Sequence, residues 1–259
     1  MQALATFQSA STRTDFRRKS GDLSQPGKPR VLSKLLSAGP EFDLHAENSP
    51  QRRQLERYVA RCFVRAYKAQ VTEFSPLLLD VKCAGNISGV AGIRMAATSP
   101  LFLEHYLDQS VEKVITHTFG QVVSRHEIVE IANLAALRPG ACQLMLLMLA
   151  GILHAAGFRY AAFAGTDQVV RTVHKLSEAV RAVGIADPSR LGVDAKHWGS
   201  YYDTSPQVMI VDLAATKAIF DAQRLPAAVF AVYESRLNAL AAILRAYKHC
   251  ATELKLRVG

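Results

Sequence analysis

The chain has 259 residues, enough for one large or two small domains with a substantial core. Its 49% hydrophobic and 20% charged residues fit a soluble globular protein and exclude a low-complexity or fibrous one. Lysine and arginine exceed aspartate and glutamate by 31 − 22 = 9, a surplus that favours nucleotide phosphates, an acidic carrier protein, nucleic acid or anionic lipid as partners.

Residues 1–40 are rich in Ser, Thr, Gly, Pro and basic side chains opposed only by Asp15 and Asp22, and are expected to form a disordered basic tail. The segment has no apolar stretch ahead of a small-residue cleavage site, so a secretory signal is not expected. Order is expected from Pro50, which suits a first helical turn. Leu55, Tyr58, Val59, Cys62, Phe63, Ala66 and Tyr67 then follow helical spacing, with Arg52, Arg53, Arg57, Arg61, Arg65 and Lys68 mostly elsewhere. That basic face reads as solvated surface, or as a face that greets an acidic carrier.

LLLDV (77–81) and ISGVAGIRMA (87–96) predict a hairpin closed by KCAGN. PLFLEHYLDQSVEKVITHTFG predicts a helix ending at Gly120, HEIVEIANLAAL a strand, and residues 143–156 an apolar helix closed by Gly157. FRYAAFAG (158–165) predicts a strand, 167–182 a helix, and WGSYYDTSPQVMIVDL a final hairpin-like pair. From Pro226 onward, Phe230, Tyr233, Leu237, Leu240, Leu244 and Tyr247 recur in steps of three and four. This heptad-like stripe either packs on its own domain or forms a homodimer seam. The longest apolar run, LMLLMLAGIL at 144–153, is half the ~20 residues a membrane span needs, so no transmembrane segment is expected. The element order predicts a mixed α/β fold, not a doubly wound sheet.

Cys62, Cys83, Cys142 and Cys250 show no disulfide-like or C-x-x-C spacing and read as reduced thiols of a cytoplasmic protein. Eight histidines scattered singly argue against a metal site, and neither a G-x-S-x-G elbow nor a phosphate-loop motif occurs. Basic residues without a recognisable reading motif rank nucleic acid below a small-molecule or carrier-protein partner.

The informative stretch is EIVEIANLAALRPGACQ (127–143). An acid such as Glu130 among apolar neighbours is costly to bury unless it is hydrogen-bonded or used. Strict alternation sets Glu130 with Ile128, Ala132 and Leu134 and puts Asn133 opposite; a bulge would turn both polar groups to one side. Gly140 and Ala141 are small enough to let an anion approach backbone N–H groups at a helix N-terminus. Cys142 there is either a dipole-lowered thiol or a small cap residue. The plain alternative is an edge strand with an exposed glutamate and an ordinary turn.

GVAGIRMAATSPLFLEHYLDQ (89–109), EIVEIANLAAL (127–137) and WGSYYDTSPQVMIVDL (198–213) resemble the thermostable hemolysin family, over roughly residues 41–213. More distantly they resemble acyl-homoserine lactone synthases and the GCN5-related N-acyltransferase fold. The resemblance implies a mixed, mostly antiparallel sheet flanked by helices, with residues 214–259 as a C-terminal helical extension. It implies transfer of an acyl chain from acyl-carrier protein or acyl-CoA to a small amine, with the donor as substrate and no tightly bound cofactor. By this resemblance Glu130 is the general base or ammonium anchor, and Asn133 positions the acceptor or the thioester carbonyl. Arg94, in Ala91-Gly92-Ile93-Arg94, binds an acceptor carboxylate or pairs with Glu130, and Tyr201 or Tyr202 protonates the leaving thiolate. The phosphate turn corresponds to Leu137, Arg138, Gly140, Ala141 and Cys142. Asn133 stands where the synthases carry Arg, and only Gly140 matches the phosphate-turn pattern cleanly. An acyl tunnel is expected beside the helix at 143–156, where Ala150 and Gly151 leave room. Direct membrane lysis and a non-catalytic module on the same fold are the alternatives.

Overall fold

A computed structural model describes residues 5–6, 32 and 35–258 of the chain, with side chains described for residues 32 and 35–250. Strands β1 (Ala5–Thr6), β2 (Glu41–His45), β3 (Leu77–Cys83), β4 (Asn86–Met95), β5 (Ile128–Ala136), β6 (Tyr160–Gly165), β7 (Val180–Ile185) and β8 (Gln207–Asp212) form one sheet. Its order is β2-β3-β4-β5-β6-β8-β7, with β1 beside β5 and off that path. β5 runs parallel to β6 and to β1; the other pairs are antiparallel. The flanking helices are α1 (Arg52–Tyr67), α2 (Val111–Phe119), α3 (Ala141–Ala155), α4 (Asp167–Leu176), α5 (Leu213–Ala222) and α6 (Arg224–Val258). The fold is therefore the mixed, mostly antiparallel α/β sheet expected, closed by a long C-terminal helix.

Side-chain alternation divides the core between the two sheet faces. Leu79, Ile93, Ile131, Leu134 and Phe163 face α3 to α6, meeting Leu144, Met148, Val169, Phe220 and Leu240. Leu78, Val90, Ile128 and Ile210 face α1 and α2, meeting Leu55, Val59, Phe63 and Ile115, with Trp198 and Tyr201 joining them.

The 77–96 hairpin turns at Ala84 and Gly85, both at positive φ, as a tight two-residue hairpin requires. Elsewhere the structure departs from the sequence expectation. The helix expected over 100–120 is a 3₁₀ turn, Phe102–Tyr106, followed by α2, because Asp108 to Ser110 break the path. The helix expected over 167–182 stops at Leu176, and VRAVGI becomes β7, paired with β8, since the free edge of β8 recruits it. WGSYYD is turn and 3₁₀ structure, so only QVMIVD supplies a strand and no hairpin forms there. β2 went unread because five residues carry too little periodicity. Of residues 1–40 only the few above are described, among them β1 and the buried Leu32 and Leu35; the rest of the expected basic tail lies outside the described residues.

The heptad-like stripe of α6 packs on its own chain. Gly151 of α3 permits this: a Cβ there would meet Leu237 at 2.8 Å and Phe230 at 3.0 Å. That glycine therefore serves helix approach, not an acyl tunnel. Arg224–Cys250 is also long and apolar enough to cross a membrane by length and composition, which a search for one unbroken apolar run misses.

Candidate functional site

The site is built where two parallel strands part. β5 pairs with β6 only at Ile128–Tyr160, Val129–Ala161 and Glu130–Ala162. Beyond that point β5 stays with β4 as far as Ala136–Gly89, while β6 stays with β8 as far as Gly165–Gln207. The β6-side edge of β5 is thus released from Ile131 onward, directly after Glu130.

A bulge in the same place redirects the side chains. The β4–β5 register shifts between Val90 and Gly92, and Asn133 adopts φ 49°, a conformation asparagine tolerates better than most residues. The extra residue moves Leu134 to the α3 face and brings Asn133 to the face that holds Glu130. Gly92, opposite, has no room for a side chain: a Cβ would lie 2.7 Å from Asn133 Oδ1 and 2.8 Å from Ser75 Cβ.

Glu130 is buried, with 2% of its surface exposed. Its carboxylate accepts the Phe102 N–H at 2.9 Å and the Leu103 N–H at 2.9 Å. Burial pushes its pKa up to about 7; the two N–H donors and the Arg94 charge oppose the rise. Arg94 is its cross-strand partner in register, yet its guanidinium turns to the Pro100 carbonyl at 3.4 Å. Asn133 Oδ1 accepts the Ser75 N–H at 2.9 Å and its Nδ2 donates to the Glu73 carbonyl at 3.3 Å. Asn133 thus clamps the 73–75 segment to β5.

The turn held by Glu130 has a second clamp that sequence reading overlooked. Glu104 accepts the Leu101 and Val111 N–H groups at 2.8 and 3.1 Å, and Arg125 binds both of its oxygens. Arg125 also reaches Glu112 at 2.9 Å. The only signal was charge: Glu104, Glu112 and Arg125 lie too far apart in sequence to read as a network.

Tyr201 is 1% exposed and donates to the Ala164 carbonyl at 3.4 Å, on the part of β6 that has left β5. Tyr202 shares its hydroxyl with that of Tyr106 at 2.6 Å, and burial pushes its pKa up to about 12. Trp198 packs between Phe102, Tyr201 and Tyr202.

The turn after β5 starts at Leu137, whose N–H reaches Ser88 O and Tyr58 Oη at 3.3 and 3.2 Å. Gly140, at φ 82°, caps α3 without a side-chain hydrogen bond. The Ala141 N–H donates to the Arg138 carbonyl at 3.1 Å, so the Cys142 N–H heads the helix end whose positive dipole is available to an anion. Desolvation pushes the half-buried Cys142 thiol up to about 12, opposite in direction to a dipole-lowered thiol.

Beside this turn lies a groove of about 500 Å³ lined by Tyr58, Arg61, Arg65, Asn86 and Leu137. Arg53, Arg57, Arg61, Arg65 and Lys68 form one exposed stripe on and just beyond α1, whose acid, Glu56, is engaged by Arg52 at 2.7 Å. On the opposite sheet face, Ile131 and Phe163, the first residues past the Glu130–Ala162 pair, line a narrow apolar slot of about 40 Å³ with Ala150, Leu146 and Leu176.

Among the described residues, Asp43, His45 and Asp80 bring three possible metal-ligand atoms together. Strand pairing of Asp43 with Asp80 creates the cluster, so sequence spacing hid it. The Lys82 ammonium already lies 3.4 Å from Asp43 and 3.3 Å from Asp80, and Arg236 holds Asp43, so cationic side chains meet this charge.

Splayed parallel strands, a bulge beside a buried acid and an uncapped helix start define a cleft-bearing α/β protein. The thermostable hemolysin family model matches residues 45–217, more than half of the chain, and the chain belongs to that family. No curated protein matches it. Similar solved structures include TofI in an apo form, at 18% identity over 70% of this chain and 96% of that one, with a TM-score of 0.47. The AHL synthase LasI is similar at 13% identity over 70% and 93%, with a TM-score of 0.49. FeeM, an N-acyl amino acid synthase from uncultured soil microbes, is similar at 12% identity over 70% and 95%, with a TM-score of 0.47.

Proposed function

We propose that the chain is an N-acyltransferase that moves an acyl group from a pantetheine thioester to a small amine. The observation that carries this is the parting of β5 from β6 after Glu130–Ala162, which leaves a strand edge that β6 does not pair, running from an apolar slot toward an uncapped helix N-terminus. A pantetheine arm has amides that can pair with such an edge, as an extended peptide does. Its phosphate would meet the N–H groups at Gly140 and Cys142, that of Ala141 being donated to the Arg138 carbonyl at 3.1 Å, with Arg138 and Leu137 flanking, and its acyl chain would enter between Ile131 and Phe163.

In this reading the amine nitrogen attacks the thioester carbon, the C–S bond breaks and the thiolate leaves. Glu130, near neutrality, takes the proton from the amine. Tyr201, whose hydroxyl reaches the part of β6 that has left β5, returns a proton to the thiolate. Arg94 binds a carboxylate on the acceptor. Asn133 shapes the cleft by fixing the 73–75 segment. The donors are cytoplasmic metabolites, and the reading places the protein in the cytoplasm.

The test is to incubate the pure chain with octanoyl-CoA or octanoyl-carrier protein and a panel of amines. Amide product and free thiol should appear in equal amounts by mass spectrometry and thiol titration. Lysis of red cells by the chain without any amide would overturn the reading.

The apolar slot makes its own prediction. Phe163→Ala should widen it and shift preference toward longer acyl donors by several-fold in kcat/KM, at a stability cost of about 3–5 kcal/mol. Unchanged chain-length preference would remove the slot from the acyl path.

The basic stripe on α1 favours a carrier protein over free CoA as donor source, since acidic partners are steered by such a face. Reversing Arg57 and Arg61 to Glu should slow transfer from carrier protein by 10-fold or more at low salt. The rate with octanoyl-CoA should change little. Equal losses with both donors would place these arginines elsewhere in the mechanism.

A second reading, direct action on membranes, draws on the length and apolarity of Arg224–Cys250. Its apolar stripe is engaged with α3, so this route requires α6 to detach. Dye release from anionic liposomes by the pure chain, without any acyl donor, is the outcome that would favour it.

A further inference from the structure

An unpaired strand edge leaves backbone N–H and C=O groups in want of partners. The chain supplies one to β5. Ala5–Thr6 pairs with it in parallel, Ala5 with Ala135 and Thr6 with Ala136. At those same residues the other edge of β5 is already held by β4, Val90 with Ala135 and Gly89 with Ala136. β1 therefore occupies the side that β6 has left. It also approaches α1 and α4.

Ala135 and Ala136 immediately precede the Leu137–Cys142 turn. A pantetheine arm stretched from that turn toward Glu130 has to run along the same stretch of edge. Two extended backbones cannot pair with one edge at one place.

We propose that the segment at Ala5–Thr6 is an internal competitor of the acyl donor, closing the β5 edge in the free protein and leaving it when a pantetheine thioester binds. This rests on the donor reading given under Proposed function. A closed fraction of roughly nine-tenths, typical of a few weak hydrogen bonds, would lower apparent donor affinity on the order of 10-fold.

The experiment uses the full chain carrying Ala5→Pro and Thr6→Pro. Proline has no N–H to donate and is excluded from a central ladder. Octanoyl-CoA is titrated into this variant and into the wild-type chain by calorimetry, and amide hydrogen exchange is followed over Ala132–Leu137 without donor. The variant should bind about 10-fold more tightly and exchange faster over that stretch. Equal affinities would overturn the competitor role while leaving the donor reading standing. No binding by either protein, with faster exchange in the variant, would overturn the donor reading and the competitor role with it, showing β1 to be structural only.

A second variant guards against a folding defect in the first. Ala5→Cys with Ala135→Cys places two thiols at a paired position. Oxidation should abolish octanoyl-CoA binding and reductant should restore it; binding unaffected by the cross-link refutes the competition.

Discussion

Replacing Gly199 by alanine is expected to destabilise the protein by about 3–5 kcal/mol and to lower its melting temperature by roughly 10 °C. Gly199 sits at φ 52° and ψ −127°, a conformation closed to residues with a Cβ. A methyl group there would also overlap the Tyr67 carbonyl oxygen and lie 3.0 Å from the Lys68 carbonyl carbon. Neither atom can yield, because that corner is built from backbone. Tyr67 O accepts the Ser200 N–H at 2.9 Å, Gln70 N–H donates to His197 O at 2.7 Å, and Lys68 ends α1 at φ 57°. Trp198, next in the chain and 2% exposed, would be dislodged from Phe63, Phe102 and Tyr201. It is the only tryptophan, so its emission should shift red in the same melt. Ser200→Ala, which removes one side-chain bond at 3.3 Å, is the control and should cost about 1 kcal/mol. A Gly199→Ala melting temperature within 2 °C of wild type would show that the corner is not rigid.

That corner explains part of what the sequence hid. The W-G-S-Y-Y-D string read as strand and candidate chemistry, yet its glycine and serine join the end of α1 to the loop before β8. The link spans more than a hundred residues, and no local pattern encodes it. Glu130 was legible, because a lone acid in an apolar run must be hydrogen-bonded or used. Its partners were not, because the Phe102 and Leu103 N–H groups belong to a 3₁₀ turn that sequence spacing assigned to a helix. Asn133 was legible as a departure from alternation, and the bulge that turns it toward Glu130 follows from its positive φ. Its occupation by Ser75 and Glu73 came only with the packing. Two chain-length errors share one cause. α4 stops at Leu176 and β7 begins at Val180 because β8 offers a free edge there, and tertiary pairing overrides local propensity.

Glu130→Gln is expected to lower acyl transfer by 100-fold or more and to flatten its dependence on pH. In the wild-type chain the Glu130 pKa stands at about 7, above the model-compound 4.5, chiefly because burial disfavours the carboxylate. Its folded form therefore holds a proton between these values that the unfolded form has released. The sign follows: this contribution to stability is fully present below pH 4.5 and is lost as pH rises through 7, by roughly 3 kcal/mol at its limit. Transfer should run the opposite way, rising through pH 7 as the base ionises, so activity would be gained where stability is given up. Glutamine removes the ionisation and so abolishes both pH dependences, but its amide NH2 cannot accept, so one of the two bonds from the Phe102 and Leu103 N–H groups is given up. Parallel denaturant melts and rate profiles from pH 5 to 8 would separate a proton acceptor from a brace. If Glu130→Gln retains the wild-type rate and its rise near pH 7, the proton goes elsewhere, and Glu130 serves to hold the 101–106 turn against β5.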